Sequence, residues 1–297
     1  MKRVVQLAVV CLVSSLIYYL GFHPYEYSIR FRTSTTPGDI IESLRLWDRS
    51  MDNSTILEVD SFDHMKMQIQ YKGSNYDYRW HFKHKSDSST EVQILVSEPD
   101  RKLQNKVLVP FAETVMETHA LELGNSFYEL IKTHLKKTKI KLLGESTLDS
   151  VFCMCKRLET GQVAKANAMM KDYPLFISFV DTYHLKLKGS PLIKVIEWSH
   201  QKGKIKFDFC FPLDRSVPPP PSDMFEFKTF PPQRALKAEY HGNYITSDRA
   251  WYALTDFANR NGYKIVSPPI ELFYDNPNLG LNEEKWKAEV YLPIIKQ

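Results

Sequence analysis

The chain has 297 residues, a length that allows one large domain or two domains of ordinary size. Its 39 basic and 35 acidic residues leave a formal net charge of +4. Because that surplus is small and the sequence shows neither a Lys/Arg block nor a helix-turn-helix signature, we expect no nucleic-acid partner.

The N-terminus predicts a membrane anchor. Lys2 and Arg3 precede an uncharged apolar segment at residues 4–22, whose length suits a membrane-spanning helix with Tyr18 and Tyr19 at an interface. A cleaved signal peptide begins in the same way, but this segment ends without a small-x-small cleavage site. We therefore expect a single-pass protein with a cytoplasmic N-terminus, a lipid bilayer as partner, and its bulk outside the cytoplasm, which means the periplasm if the source is a Gram-negative bacterium.

Residues 25–141 predict a domain in which strands precede a long helix. Alternating apolar and polar residues predict the strands, and the turn at residues 72–75 predicts a hairpin. The predicted strands cover residues 27–32, 56–62, 65–71, 76–84 and 92–97. A short helix is predicted at residues 36–47, and a long amphipathic helix at residues 111–137 closes the domain.

This order of elements resembles the helix-grip fold of START-like (SRPBCC, polyketide-cyclase-type) domains. The resemblance implies an antiparallel sheet wrapped on the long helix, with an apolar ligand cavity between them. Its lining would be Met67, Ile69, Trp80, Phe82 and Phe127, although an ordinary core would use the same side chains. We interpret His81, His84 and His119 as surface residues.

Residues 142–150 predict a linker into a second domain at residues 149–297, which contains an internal repeat. Each copy has a strand, a helix and two further strands. The predicted elements of the first copy lie near residues 150–157, at 161–186 with a break at Pro174, and at 190–198 and 206–213. Those of the second copy lie at residues 234–240, 247–260, 267–275 and 287–294. A Pro-rich tether at residues 216–224 joins the copies. Two such βαββ units side by side would enclose a cleft.

The second copy resembles the GyrI-like small-molecule-binding domain, which includes effector-binding domains of multidrug-responsive regulators. The resemblance rests on Tyr-x-Gly-x-Tyr at residues 240–244, the strand SPPIELFYD and the late Glu-x-x-x-Pro at residues 289–293. It implies an α+β chain with a ligand in a central cleft. Glu271 falls where the regulators contact cationic ligands, and Glu289 is the second acid. The expected ligand-binding residues are Glu271, Glu289, Tyr240, Tyr244, Trp251, Phe273 and Trp286.

Glu271 lies in an aromatic strand, so it would act as the counter-ion of a bound cation or have a raised pKa. The first case predicts a receptor for an apolar or lipophilic cationic molecule, which we favour. The second predicts a hydrolase or isomerase that uses Glu271, Glu289 and Tyr240, an activity reported for some relatives on strained cyclopropane compounds. A third interpretation is an envelope scaffold without a ligand. In the first repeat, Lys194 is expected at the place of Glu271 and Asp208 at that of Glu289.

The sequence has no Cys-x-x-Cys pair, so we expect no metal site. It also has no phosphate loop and no nucleophile motif, and we expect no cofactor. Cys11 lies in the apolar N-terminal segment. Cys153 and Cys155 point to one face of a predicted strand. They are small buried residues, or one of them is bridged to Cys210.

Overall fold

The computed structural model describes residues 2–86, 89–280 and 282–296. The chain divides into two compact units. The first combines Met1–Pro37 with Ser43–Lys132, and the second combines Gly38–Glu42 with Thr133–Gln297. Both units are mixed α/β structures built on an antiparallel sheet. Gln297, the end of the predicted second domain, lies outside the described residues.

The first unit contains a five-stranded sheet in the order β1-β5-β4-β3-β2. The strands are β1 (Tyr27–Thr33), β2 (Ser54–Asp60), β3 (His64–Tyr71), β4 (Ser74–Ser86) and β5 (Ser89–Ser97). The helices in this part of the chain are α1 (Lys2–Gly21), α2 (Pro37–Asp48), α3 (Lys102–Leu108) and α4 (Val115–Lys137). The long helix therefore begins four residues later than expected, and the sequence pattern missed α3. Alternation along β3 to β5 buries one face of the sheet.

The residues expected to line a cavity in this unit form a contiguous core. Met67, Ile69, Trp80, Phe82 and Phe127 are each at most 3% exposed. The rings of Trp80 and Phe127 meet edge to face at 5.2 Å between centroids, which joins β4 to α4. The START-like resemblance stays a prediction.

The expected surface position of His119 is wrong. Its ring is buried in α4, stacks on Tyr71 at 4.0 Å and lies 2.7 Å from the hydroxyl of Tyr78. His81 and His84 are half-buried. His119, Leu123 and Phe127 are spaced four residues apart in α4, so they lie on the same face of the helix, and all three are buried.

Helix α1 is long and apolar enough to cross a membrane, with a mean hydropathy of 2.0 and none of its residues buried. A signal sequence near the N-terminus has the same properties. Its 20 residues rise about 30 Å along the axis, which matches the hydrocarbon thickness of a bilayer.

The second unit contains a nine-stranded sheet in the order β10-β7-β9-β8-β13-β14-β11-β6, with β12 paired to β14. The strands are β6 (Lys139–Leu148), β7 (Val151–Gly161), β8 (Leu192–Ser199), β9 (Lys204–Pro212), β10 (Glu226–Phe230), β11 (Gln233–His241), β12 (Tyr263–Ile265), β13 (Ile270–Phe273) and β14 (Lys287–Lys296). Its helices are α5 (Lys165–Thr182) and α6 (Arg249–Arg260). Strand–helix–strand–strand thus occurs twice, as β7-α5-β8-β9 and as β11-α6-β13-β14, and the copies meet where β8 pairs with β13.

Two sequence-based expectations for this unit are wrong, and the cysteines follow the alternative in which one of the pair is bridged to Cys210. Residues 142–150 lie mostly in β6, which pairs with β11 and so belongs to the sheet rather than to a linker. Helix α5 continues through Pro174 instead of breaking there. The proline removes one helical hydrogen bond, but the helix residues on both sides of it pack in the aromatic core, which holds the helix together. Cys155 and Cys210 form a disulfide across β7 and β9, whereas Cys153 is a buried free thiol, as expected of a small core residue.

Candidate functional site

A cavity of about 270 Å³ opens where the two repeats meet. The first repeat supplies one side of the cavity through three segments, which are α5, strand β9 and the turn that precedes β8. The second supplies the other through the turn after β11 and the segment that follows β13. Large apolar and aromatic side chains dominate the lining: Met169, Met170, Tyr173, Phe209, Tyr244, Phe273 and Tyr274. Cavities of this kind, with few polar groups, are typical of small-molecule sites.

Two of the predicted ligand-binding residues, Tyr244 and Phe273, form one wall of this cavity. Their rings lie 4.9 Å apart edge to face, and Tyr244 also contacts Trp286 at 5.4 Å. The Tyr244 hydroxyl donates to the carbonyl oxygen of Lys287 at 2.6 Å. Burial raises the pKa of Tyr244, so its phenol stays neutral. The wall is therefore rigid, and its surface toward the cavity is aromatic.

Among the described residues that line the cavity, Asp275 carries the only charge. Its Oδ2 accepts the backbone N–H of Lys287 at 2.6 Å, and its own N–H donates to the Tyr244 oxygen at 3.0 Å. These bonds fix the turn after β13 and hold a half-buried carboxylate at the edge of an aromatic cavity. Such an arrangement suits a ligand with a positive charge beside an apolar body.

Glu271 lies on β13, four residues before Asp275, and is beneath the cavity rather than in its lining. The residue is 0% exposed, and one carboxylate oxygen, Oε2, lies 2.6 Å from the ammonium of Lys165. The Ser247 hydroxyl donates to the same oxygen at 3.1 Å, and the Trp251 indole N–H donates to Oε1. Both carboxylate oxygens are thus bonded to groups of the protein itself.

Lys165 is the first residue of α5, and its ammonium sits among aromatic rings as well as on the carboxylate. Its Nζ lies 4.8 Å from the centroid of Trp251 and 5.9 Å from that of Phe273. Burial raises the pKa of Glu271, whereas Lys165 and the Ser247 hydrogen bond lower it. The cation that the sequence assigned to a ligand is therefore present as a side chain of the protein.

The remaining predicted aromatic residues support the wall rather than line it. Tyr240 is fully buried, with its hydroxyl 2.7 Å from Thr246 Oγ1 and 2.8 Å from the carbonyl of Asn243. Burial raises its pKa, so it is not poised to release a proton. Trp251 holds Glu271, and Trp286 packs behind Tyr244.

Glu289 faces the opposite side of the sheet from Glu271. It pairs with Leu272, whereas Glu271 pairs with Val290, and adjacent residues of a strand point to opposite faces. Although burial opposes the shift, hydrogen bonds from Lys237, Tyr274 and Tyr291 lower the pKa of Glu289 to about 2. Glu289 is thus a permanently charged structural acid.

The expected match of Asp208 with Glu289 is found in the fold. Asp208 lies on β9, the counterpart of β14, and pairs with Arg157 and with Lys228 at 3.0 Å. The expected match of Lys194 with Glu271 is wrong. Lys194 pairs with Ile270, whereas Glu271 pairs with Ile193, so the two charges lie on opposite faces.

Sequence reasoning missed several cavity residues. Met169 and Met170 lie on α5 four and three residues before Tyr173, a helical spacing that is equally typical of a core. Asp275 is the last residue of the predicted aromatic strand at residues 267–275, and this position was the only sequence signal that pointed to it. The partner of Glu271 had none, because Lys165 is 106 residues away.

Comparison with known proteins adds the family of this unit. Residues 161–295 match the family model described as GyrI-like small molecule binding domain. These residues form a GyrI-like domain. No curated protein matches the chain.

The solved structures similar to the chain are remote in sequence. The C-terminal domain of EcmrR is 15% identical, with a TM-score of 0.46, and the match covers 54% of this chain and 99% of that chain. SAV2435 bound to tetraphenylphosphonium is 15% identical, with a TM-score of 0.39, covering 52% and 94%. A hydrolase from Listeria innocua is 13% identical, with a TM-score of 0.32, covering 56% and 98%.

Proposed function

We propose that this protein binds an apolar small molecule in the cavity of its GyrI-like domain, and that it accepts lipophilic cations through Asp275. The observation that carries the proposal is the cavity itself, an aromatic and methionine-rich space whose described lining includes one carboxylate, at its edge. Aromatic faces attract cations, and methionine side chains adapt to irregular apolar ligands.

Glu271 has a different role in this proposal from the one that the sequence suggested. Because Lys165 neutralises Glu271 inside the protein, a cationic ligand gains nothing from that carboxylate unless the ion pair breaks. Asp275 forms hydrogen bonds with backbone and Tyr244 groups, and it lies where a bound ligand reaches it. Cation selectivity therefore depends on Asp275.

The geometry does not favour catalysis by the acids that the sequence singled out. Glu271 is buried beneath the cavity, Glu289 faces the other side of the sheet, and the Tyr240 hydroxyl is held by Thr246. None of these three side chains lines the cavity described above. Binding is thus the function that the geometry supports best.

The test compares a lipophilic cation with a neutral molecule of similar shape. We would titrate the full chain with tetraphenylphosphonium and with triphenylphosphine oxide, using calorimetry and thermal shift, since a ligand that binds the native state raises its melting temperature. Asp275→Asn should weaken the binding of tetraphenylphosphonium about fivefold, which corresponds to about 1 kcal/mol of binding free energy at a partly exposed cation site. The same substitution should leave the affinity for the neutral molecule unchanged. Glu284→Gln, on an exposed turn, is the matched charge control.

A second variant tests the cavity itself. Ala166→Phe places a ring in the cavity from α5 and should abolish binding of both molecules, whereas Asn167→Phe, on the exposed side of the same helix turn, should not. Binding that survives Ala166→Phe would contradict the proposed location. Binding of the cation that survives Asp275→Asn but is lost in Glu271→Gln would return the counter-ion role to Glu271.

We propose further that α1 anchors the protein in a membrane, with the GyrI-like domain outside the cytoplasm. The Cys155–Cys210 disulfide supports this location, because structural disulfides persist in oxidising compartments such as the periplasm. Protease treatment of intact and permeabilised cells tests the topology. Digestion only after permeabilisation of the inner membrane would contradict it.

A further inference from the structure

We propose that residues 102–115, which contain α3 and the turn after it, form a second membrane contact that inserts into the interfacial layer of the bilayer beside α1. This inference rests on the proposed anchoring by α1. The partner is the lipid surface itself, and the contact includes α3, a helix that the sequence pattern missed.

Apolar side chains are concentrated on the exposed surface of this segment. Leu103 is 62% exposed, Val107 49%, Leu108 39%, Phe111 88% and Val115 52%. Leu103 and Val107 are one helical turn apart and share a face of α3. Single exposed apolar residues are normal on soluble proteins, but five within 13 positions form a patch, and patches mark sites of contact.

Two hydrogen bonds fix α3 at the end of the apolar helix. The ammonium of Lys106 donates to the carbonyl oxygen of Leu20 at 3.1 Å, and the hydroxyl of Tyr19 donates to the carbonyl of Lys106 at 3.2 Å. Leu20 is among the last residues of α1, where carbonyl groups have no helical partner and a cation is favoured. The side of α3 that carries Lys106 and Asn105 is buried, so Leu103 and Val107 face outward.

The position of this junction determines which layer the segment meets. Helix α1 is about as long as the hydrocarbon layer is thick, so in a bilayer its last turn lies at the interface. Tyrosine is enriched at that level, and Tyr18 and Tyr19 occupy it here. Because α3 is bonded to this turn, the patch of residues 102–115 lies at the same depth. Arg101 precedes the patch and Lys102 begins it, and both suit phosphate headgroups.

The experiment places a tryptophan on the patch of the full chain in phosphatidylcholine vesicles. Phe111→Trp is measured against the wild-type chain in vesicles that contain lipids brominated near the headgroup or deep in the acyl chains. Leu57→Trp, at an exposed apolar position of β2 in the same unit, is the control. Flotation of the wild-type chain with the vesicles is measured in parallel and reports anchoring by itself.

We expect the added tryptophan at position 111 to emit at shorter wavelength and to be quenched most by shallow bromines, while the one at position 57 is not quenched. If the chain floats but position 111 is no more quenched than position 57, the second contact is refuted and the anchor stands. A blue-shifted but unquenched tryptophan would show that a protein covers the patch, which also refutes the inference. If the wild-type chain does not float, the anchor and the second contact both fail. Leu103→Trp repeats the measurement on α3 itself.

Discussion

Replacing Lys165 by methionine removes the internal cation of the GyrI-like domain while keeping most of the volume of the side chain. Lys165 is 1% exposed and Glu271 0%, and their charged atoms lie 2.6 Å apart. Loss of one partner leaves a buried carboxylate with only the Ser247 and Trp251 donors. Breaking a buried pair in this way costs about 3–5 kcal/mol, so we expect Lys165→Met to lose about that much stability at neutral pH.

The sign of the pH dependence follows from the direction of the pKa shift. Burial already raises the pKa of Glu271 above 4.5, and removal of Lys165 takes away the largest opposing interaction. The folded variant then binds a proton more tightly than the unfolded chain. Its stability is fully present below pH 4.5 and is lost as the pH rises through the raised pKa, by at most about 1.4 kcal/mol per pH unit. The deficit relative to the wild type should therefore shrink in acid.

The assay is urea denaturation of the full chain between pH 5 and pH 8, followed by tryptophan fluorescence, with Trp198, Trp251 and Trp286 reporting on the second unit. The double variant with Glu271→Gln should recover a large part of the loss, because it removes the unpaired charge. Lys206→Met, which ends a surface pair with Glu197, is the control and should have no measurable effect.

The result that would refute this reasoning is a Lys165→Met variant that loses less than about 1 kcal/mol and shows the pH dependence of the wild type. It would mean that Glu271 reaches water, and then Glu271 would again be a candidate counter-ion for a ligand in the cavity. Tetraphenylphosphonium binding by the same variant provides the second measurement. The proposal predicts that it binds the cation as tightly as the wild type, because Asp275 rather than Glu271 lines the cavity.

Three further predictions concern stability. Reduction of the Cys155–Cys210 disulfide, which closes 55 residues, should lower the unfolding free energy by about 4 kcal/mol, measured by thermal denaturation with and without a phosphine reductant. Gly242→Ala should destabilise more than Gly280→Ala, because both positions have a positive φ but only at Gly242 would the new Cβ fall 2.6 Å from a buried hydroxyl; a loss at Gly242 no larger than that at Gly280 would contradict this steric clash. The depressed pKa of Glu289 gives stability that is present above pH 4.5 and lost as the pH falls toward 2, so Glu289→Gln should be less stable at neutral pH and should flatten this acid limb of the stability profile.

The elements of this protein were largely readable from its sequence because each depends on local patterns. The alternation of apolar and polar residues predicted strands close to the observed β3 and β5, and the apolar run at the N-terminus predicted α1. The repeated Ser-Pro and Pro boundaries gave the two βαββ copies, and with them the correspondence of Asp208 and Glu289. Strand β6 was missed since its Gly144 and polar residues resemble a loop, and only pairing with β11 makes it a strand.

The cavity required the tertiary structure, because its two sides come from different repeats. Tyr244 and Phe273 were predicted from the aromatic pattern of the second copy, whereas Met169 and Tyr173 belong to a helix that packs from the first. A helical face of such residues looks the same whether it fills a core or borders a space. Packing, rather than composition, decides between them.

Glu271 shows the division most clearly. The sequence by itself determined that an acid stands in an aromatic strand, and that burial would require a cation nearby. Only the tertiary structure decided which cation, because Lys165 reaches Glu271 across 106 residues through the docking of α5 on the sheet. A single residue of strand register placed Lys194 on the opposite face. Which charges meet is thus set by register and packing between distant segments, which a local pattern does not contain.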